Sequence, residues 1–121
     1  MDADKKKALI LLKSLIFHYH GLDHDEKKLL DESVEKLGAQ EELDWALDFI
    51  SRDYLSAFER CREFLSKTFQ KLDKKERLEH LVDVWEDNHK KGYVTEMETT
   101  AMINLAKDWA IEKEFLNSVQ A

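Results

Sequence analysis

The densest run of potential chemistry in the chain is His18-Tyr19-His20-Gly21-Leu22-Asp23-His24-Asp25, three histidines and two aspartates in eight residues. Imidazole nitrogens and carboxylate oxygens are donors suited to zinc and related transition metals. On a helix His18 and His20 point nearly opposite ways, so at most one of them can join His24 across the turn. A plainer reading is electrostatic. His20 stands near a helix C-terminus, and Asp23 and Asp25 stand at a helix start, where each complements the local dipole.

A second stretch, Lys91-Gly92-Tyr93-Val94-Thr95-Glu96-Met97-Glu98, is written like the first. Gly92 suits the left-handed end of one helix. Thr95 is placed to cap the next, and Glu98, three residues on, completes a capping box. Shifted back by 72 residues, Val94 falls on Leu22, Thr95 on Asp23 and Glu98 on Glu26. Met102, Trp109 and Phe115 fall on Leu30, Leu37 and Leu43. Two copies of a helix–turn–capped-helix unit therefore bracket the chain.

Other reactive groups have dull neighbours. Cys61 and His80 are a candidate nucleophile and base, but a lone cysteine on an apolar helical stripe is more often a small core residue. Three scattered glycines provide no phosphate-cradling loop. Trp45 and Phe49 sit four apart, off the Leu43–Leu47–Ile50 stripe, beside Asp44 and Asp48. That placement suits a helix buried on two sides better than an exposed aromatic patch.

Composition narrows the class. The 121 residues suit one domain, and proline is absent. So few turn residues predict an all-α fold, a single-domain bundle of six or seven helices over 1–121. The net charge of −7, with no long basic block, argues against nucleic acid or an anionic membrane as partner. Ala8–Phe17 is interrupted by Lys13 and Ser14 and is too short to span a bilayer. It leads to His18 and Tyr19 rather than to a small-residue cleavage site. A lone Cys61 permits no internal disulfide, and a reducing cytoplasmic compartment is expected.

The elements that must position these groups follow from periodicity. The first helix, about Asp4 to Tyr19, is apolar over much of its circumference and belongs in the middle of a bundle. The second runs from an Asp23 cap to Leu37 and stops at Gly38. The third covers Glu41 to Ile50. The fourth, Asp53 to Lys71, carries Tyr54, Phe58, Cys61, Leu65 and Phe69 on one face. Asp73 and Glu76 form a capping box for the fifth, which buries Leu78, Leu81, Val82 and Trp85. Helix six follows Thr95, and Glu112 to Val119 is the last. Ile16, Leu30, Leu47, Phe58, Trp85, Met102 and Trp109 are expected in one core.

The paired half-motifs, Leu22 with Glu26 and Gly92–Val94 with Glu98, resemble the TerB-like family, small all-helical domains named for tellurite-resistance proteins. The same fold occurs at the front of membrane-anchored DnaJ-type co-chaperones. The resemblance implies a non-enzymatic stress- or tellurite-resistance-associated module that binds another protein. It also implies weak divalent-cation binding through Glu26, Glu98 and nearby acids, with no other cofactor. Family members commonly place Asp before the turn glycine, whereas Lys91 precedes Gly92 here and Tyr19-His20 stands at the first turn. Without proline there is no His-Pro-Asp tripeptide, hence no J-domain on this chain. The alternative is a small metal-dependent hydrolase using the His18–Asp25 cluster, with His20 and His24 as ligands. His24-Asp25 matches the central dipeptide of HD-type phosphohydrolases, but those need a further His well upstream.

Overall fold

The computed structural model describes residues 3–17, 24–90 and 94–119, the side chains at 17, 24–26 and 90 excepted. They form seven helices and, among the described residues, no strand. The order is α1 (Ala3–Phe17), α2 (His24–Leu37), α3 (Gln40–Ser51), α4 (Ala57–Phe69), α5 (Lys74–Lys90), α6 (Glu96–Asp108) and α7 (Glu112–Val119). The all-α architecture is as composition predicts. No helix among the described residues is long and apolar enough to cross a membrane.

α1 is the centre of the bundle. Residues 8–16 are all buried, and the helix packs on α2, α3, α4, α5 and α6. Leucine and isoleucine around the whole circumference leave no face for water, so neighbours must cover every side. Only Lys13 and Ser14 break the apolar run.

Around α1 the repeat is larger than the sequence reading made it. Moved on by 72 residues, α2 and α3 begin on the first residues of α6 and α7, and α1 falls within α5. The helix ends match as well. Gly38 has φ of +62° and its counterpart Ala110 has φ of +57°. In the first copy Gly38 N–H donates to Glu35 O at 3.3 Å and Ala39 N–H to Val34 O at 2.9 Å. In the second, Ala110 N–H donates to Lys107 O at 3.1 Å and Ile111 N–H to Ala106 O at 2.9 Å. This is the left-handed cap that satisfies the last carbonyls of a helix. Core positions also pair: Leu30 with Met102, Val34 with Ala106, Ala39 with Ile111, Leu43 with Phe115, all buried.

α4 stands outside this three-helix repeat and is fastened to the second copy. The Arg62 guanidinium makes two 2.8 Å bonds to the Asp108 carboxylate. Phe69 stacks on Trp109 with ring centres 4.1 Å apart. Cys61, Leu65 and Phe69 face the core as expected. The start of α4 is different. Asp53 does not open the helix; its carboxylate holds a turn, and α4 begins at Ala57. Tyr54 is consequently 72% exposed instead of lying on the buried stripe.

The core expectation holds for Ile16, Leu30, Met102 and Trp109, whereas Leu47, Phe58 and Trp85 only pack against its edge. For Trp85 the reason is rotation of α5, which turns Leu81, Val84, Asp87 and Asn88 inward and leaves Val82 and Trp85 half-buried. Trp85 then packs edge-on against Phe115 of α7. Asp73 caps α5 as predicted, accepting the Glu76 N–H at 2.8 Å, but the Glu76 carboxylate pairs with Lys5 of α1. Trp45 and Phe49 are half-buried against Phe64 of α4, with ring centres 5.0 and 6.0 Å away. α3 is therefore covered on two sides.

The matched caps yield a stability test. An L-residue in the left-handed region costs about 1 kcal/mol that glycine does not. Ala110→Gly is expected to raise the free energy of unfolding by about 1 kcal/mol, read from the urea midpoint. Gly38→Ala is expected to lower it by a similar amount, although an added Cβ there meets nothing within 4 Å.

Candidate functional site

The Thr95–Glu98 half of the second motif folds as its sequence predicts, while Gly92, like Gly21 and Asp23 of the first, lies outside the described residues. Thr95, in extended conformation, accepts the Glu98 N–H on its hydroxyl at 3.1 Å. The Glu98 carboxylate accepts from the Thr95 N–H at 3.2 Å and from the Thr95 hydroxyl at 2.9 Å. Glu98 is 1% exposed, so this carboxylate is buried among its own cap bonds. These bonds are helix-cap chemistry. Of the other proposed metal ligands, His20 lies outside the described residues. His24 and Glu26 open α2, and their side chains lie outside the description too. Among the described residues no three His, Cys, Asp or Glu side chains gather as a metal-binding group.

Cys61 is fully buried on α4, and burial pushes its thiol up to about 12, so it carries no thiolate at neutral pH. His80 packs edge-on against Phe69. Burial, then the neighbouring Lys5 ammonium, holds its imidazole below the usual range, partly countered by Glu76 at 3.6 Å. At pH 7 His80 is therefore neutral.

Charge instead concentrates in a groove of about 370 Å³ between α2 and α5, floored by Leu9 and Lys13 of α1. Lys13 is 7% exposed. Its ammonium reaches Asp87 Oδ2 at 2.8 Å, Ser33 Oγ at 3.4 Å and Asp83 Oδ2 at 3.5 Å. Asp87 is thus the close partner that a lysine in so dry a place requires, with Ser33 and Asp83 at longer range. Asp87 itself is nearly buried, while Asp83 keeps 63% of its side chain exposed at the groove mouth. Glu32 and Lys36 stand exposed on the α2 rim.

A second conspicuous surface is the α3–α4 corner, residues 52–56. Asp53 Oδ1 accepts the Leu55 N–H at 3.1 Å, and Asp53 Oδ2 accepts the Ser56 hydroxyl at 2.9 Å. Arg60 braces the corner from α4. It donates to Phe49 O at 2.7 Å, Asp53 O at 2.8 Å and Ser56 Oγ at 2.9 Å. On this frame sit Tyr54 and Leu55, the latter 99% exposed.

Neither surface stands out in the sequence. A lysine inside an apolar run was the available signal for the groove, and the 72-residue shift, which places Asp87 and Asn88 on Leu15 and Ile16, was the other. The corner was obscured because Asp53 suits a helix cap and an aspartate-held turn equally well. Comparison with protein-family models, curated proteins and solved structures finds no match to this chain.

The Lys13–Asp87 pair has a measurable signature. Asp87→Ala strands a buried ammonium and is expected to cost about 3–5 kcal/mol of stability. Lys13→Met combined with Asp87→Leu removes both charges and is expected to recover most of that loss. Chemical denaturation of the single and double variants checks the non-additivity.

Proposed function

We propose that this chain is a non-enzymatic protein-interaction module of the TerB-like kind, docking through its Tyr54–Leu55 corner into an apolar socket on a partner protein. The observation that carries this is a fully exposed leucine on a braced turn. One exposed apolar side chain is ordinary. Two adjacent ones, held by Asp53, Ser56 and Arg60, form a tip whose ordering cost is met before binding. Nearby charges are already paired within the chain: Arg52 with Asp48 at 2.7 Å, and Arg60 with its backbone and hydroxyl acceptors. Recognition there is by shape and apolar burial. A tyrosine beside a leucine suits a central contact of that sort.

The stress- or tellurite-resistance setting rests on the family resemblance alone. Metal binding is weak in this reading. Lys91 stands where the family places Asp, and the Glu98 carboxylate serves the α6 cap. A hard cation needs a nearly complete shell of oxygens, which water would have to supply.

Two measurements test these statements. A photo-crosslinking residue at position 54 is expected to give one discrete adduct in cells, reduced more than about tenfold by Leu55→Ser. The same adducts from position 54 and from exposed position 67 would overturn the docking role. Calorimetric titration with Ca²⁺ and Mg²⁺ is expected to show no micromolar binding. Such binding, lost in Glu98→Gln, would restore the turn as a metal site. Zn²⁺ binding lost in His20→Ala would favour the hydrolase alternative.

A further inference from the structure

We infer that the groove between α2 and α5 is a second docking surface, which receives an arginine side chain of a partner protein. It lies on other elements than the Tyr54–Leu55 corner and does not depend on that reading.

The lining of the groove disfavours an anion. Lys13, the cation at its floor, is already neutralised by the nearly buried Asp87 at 2.8 Å, with Ser33 and Asp83 at longer range, so it has little to offer an anion. His80 on the α5 wall is held neutral by burial and by Lys5, and adds no positive charge at pH 7. The charged lining is then Glu32, Asp83 and Asp87 against Lys13 and Lys36, an excess of one negative charge. The whole chain carries −7, which steers cations toward it.

The shape selects among cations. A volume of about 370 Å³ is at the scale of one long side chain or small ligand. Leu9 on the floor and Leu29 and Leu37 on the α2 wall offer an apolar track, with the carboxylates of Asp83 and Glu32 at the mouth. An aliphatic stem ending in a cation matches that order, because such side chains lie along apolar surface with the head in polar surroundings. Between lysine and arginine, the planar guanidinium fork pairs bidentately with a carboxylate and is the more weakly hydrated, so it loses less on entry. Asp83 has the open oxygen capacity: it meets Lys13 only at 3.5 Å, beyond ordinary hydrogen-bond length, and most of its side chain faces solvent.

The experiment titrates N-acetyl-arginine amide into the labelled full chain and follows backbone amide resonances of Leu9, Ser33 and Asp83. Saturable shifts at these positions are expected. The neutral isostere N-acetyl-citrulline amide is expected to bind about tenfold more weakly, as one charge-assisted contact implies. Asp83→Asn, a change at an exposed carboxylate, is expected to weaken the arginine probe about fivefold with the unfolding midpoint unchanged. If that variant loses stability, Glu32→Gln on the exposed α2 rim takes its place, with the same direction expected. Equal binding of the citrulline probe, no shift at the groove, or affinity unaffected by either variant would overturn the inference. Tighter binding of free arginine than of the capped amide would also overturn it, by pointing to a small-molecule site.

Discussion

A helix buried around its whole circumference has no solvent face on which to carry a charge, and α1 carries Lys13 in the middle of its buried run. That constraint organises the rest. An ammonium in so dry a place must be surrounded by oxygens, and they come from two neighbouring helices: Ser33 on α2, Asp83 and Asp87 on α5. Drawing α2 and α5 toward the same point of α1 also leaves the groove between them. The ion pair thus fixes the relative placement of helices from both copies of the repeat. Its companion Asn88 is fully buried, with neither amide atom hydrogen-bonded among the described residues. Two polar residues are therefore held where the first copy has leucine and isoleucine. Such a cost in stability is commonly kept for a reason other than stability.

The repeat clarifies how the rest is arranged. α1–α3 and α5–α7 keep one register through helix starts, left-handed ends and core positions. α4 is the addition. It covers the side of α3 that Trp45 and Phe49 would otherwise expose, and Arg62 and Phe69 anchor it to Asp108 and Trp109. The corner leading into it is consequently the part of the chain least constrained by the repeat. It is also the part that presents Tyr54 and Leu55 to solvent.

Much of this was legible in the residues. The α2 stop at Gly38, the Thr95–Glu98 box and the central position of α1 follow from local chemistry that tertiary packing reinforced. What was not legible depended on rotation and on choice between equivalent turns. Trp85 counts as core by spacing, yet Asp87 and Asn88 set the α5 face because Lys13 draws Asp87 inward. A periodicity argument that favours apolar residues cannot see an inward face defined by a charge. Asp53 can cap a helix or hold a turn, and Arg60, seven residues on, decides for the turn. The histidine cluster at 18–24 lies largely outside the described residues, so its chemistry remains an expectation from the sequence.

The distance along the chain between Lys13 and Asp87 has a consequence for synthesis. They are separated by 74 residues, so the ribosome makes the buried cation long before it makes the anion that neutralises it. A nascent chain ending at α3 or α4 possesses the full apolar surface of α1 but neither α5 nor α6 to cover it. Such an intermediate can cover α1 from the side of α2, α3 and α4 but leaves its α5 and α6 side open until the second repeat emerges. A chain truncated within α5 before Asp87 therefore leaves a buried ammonium without its close carboxylate.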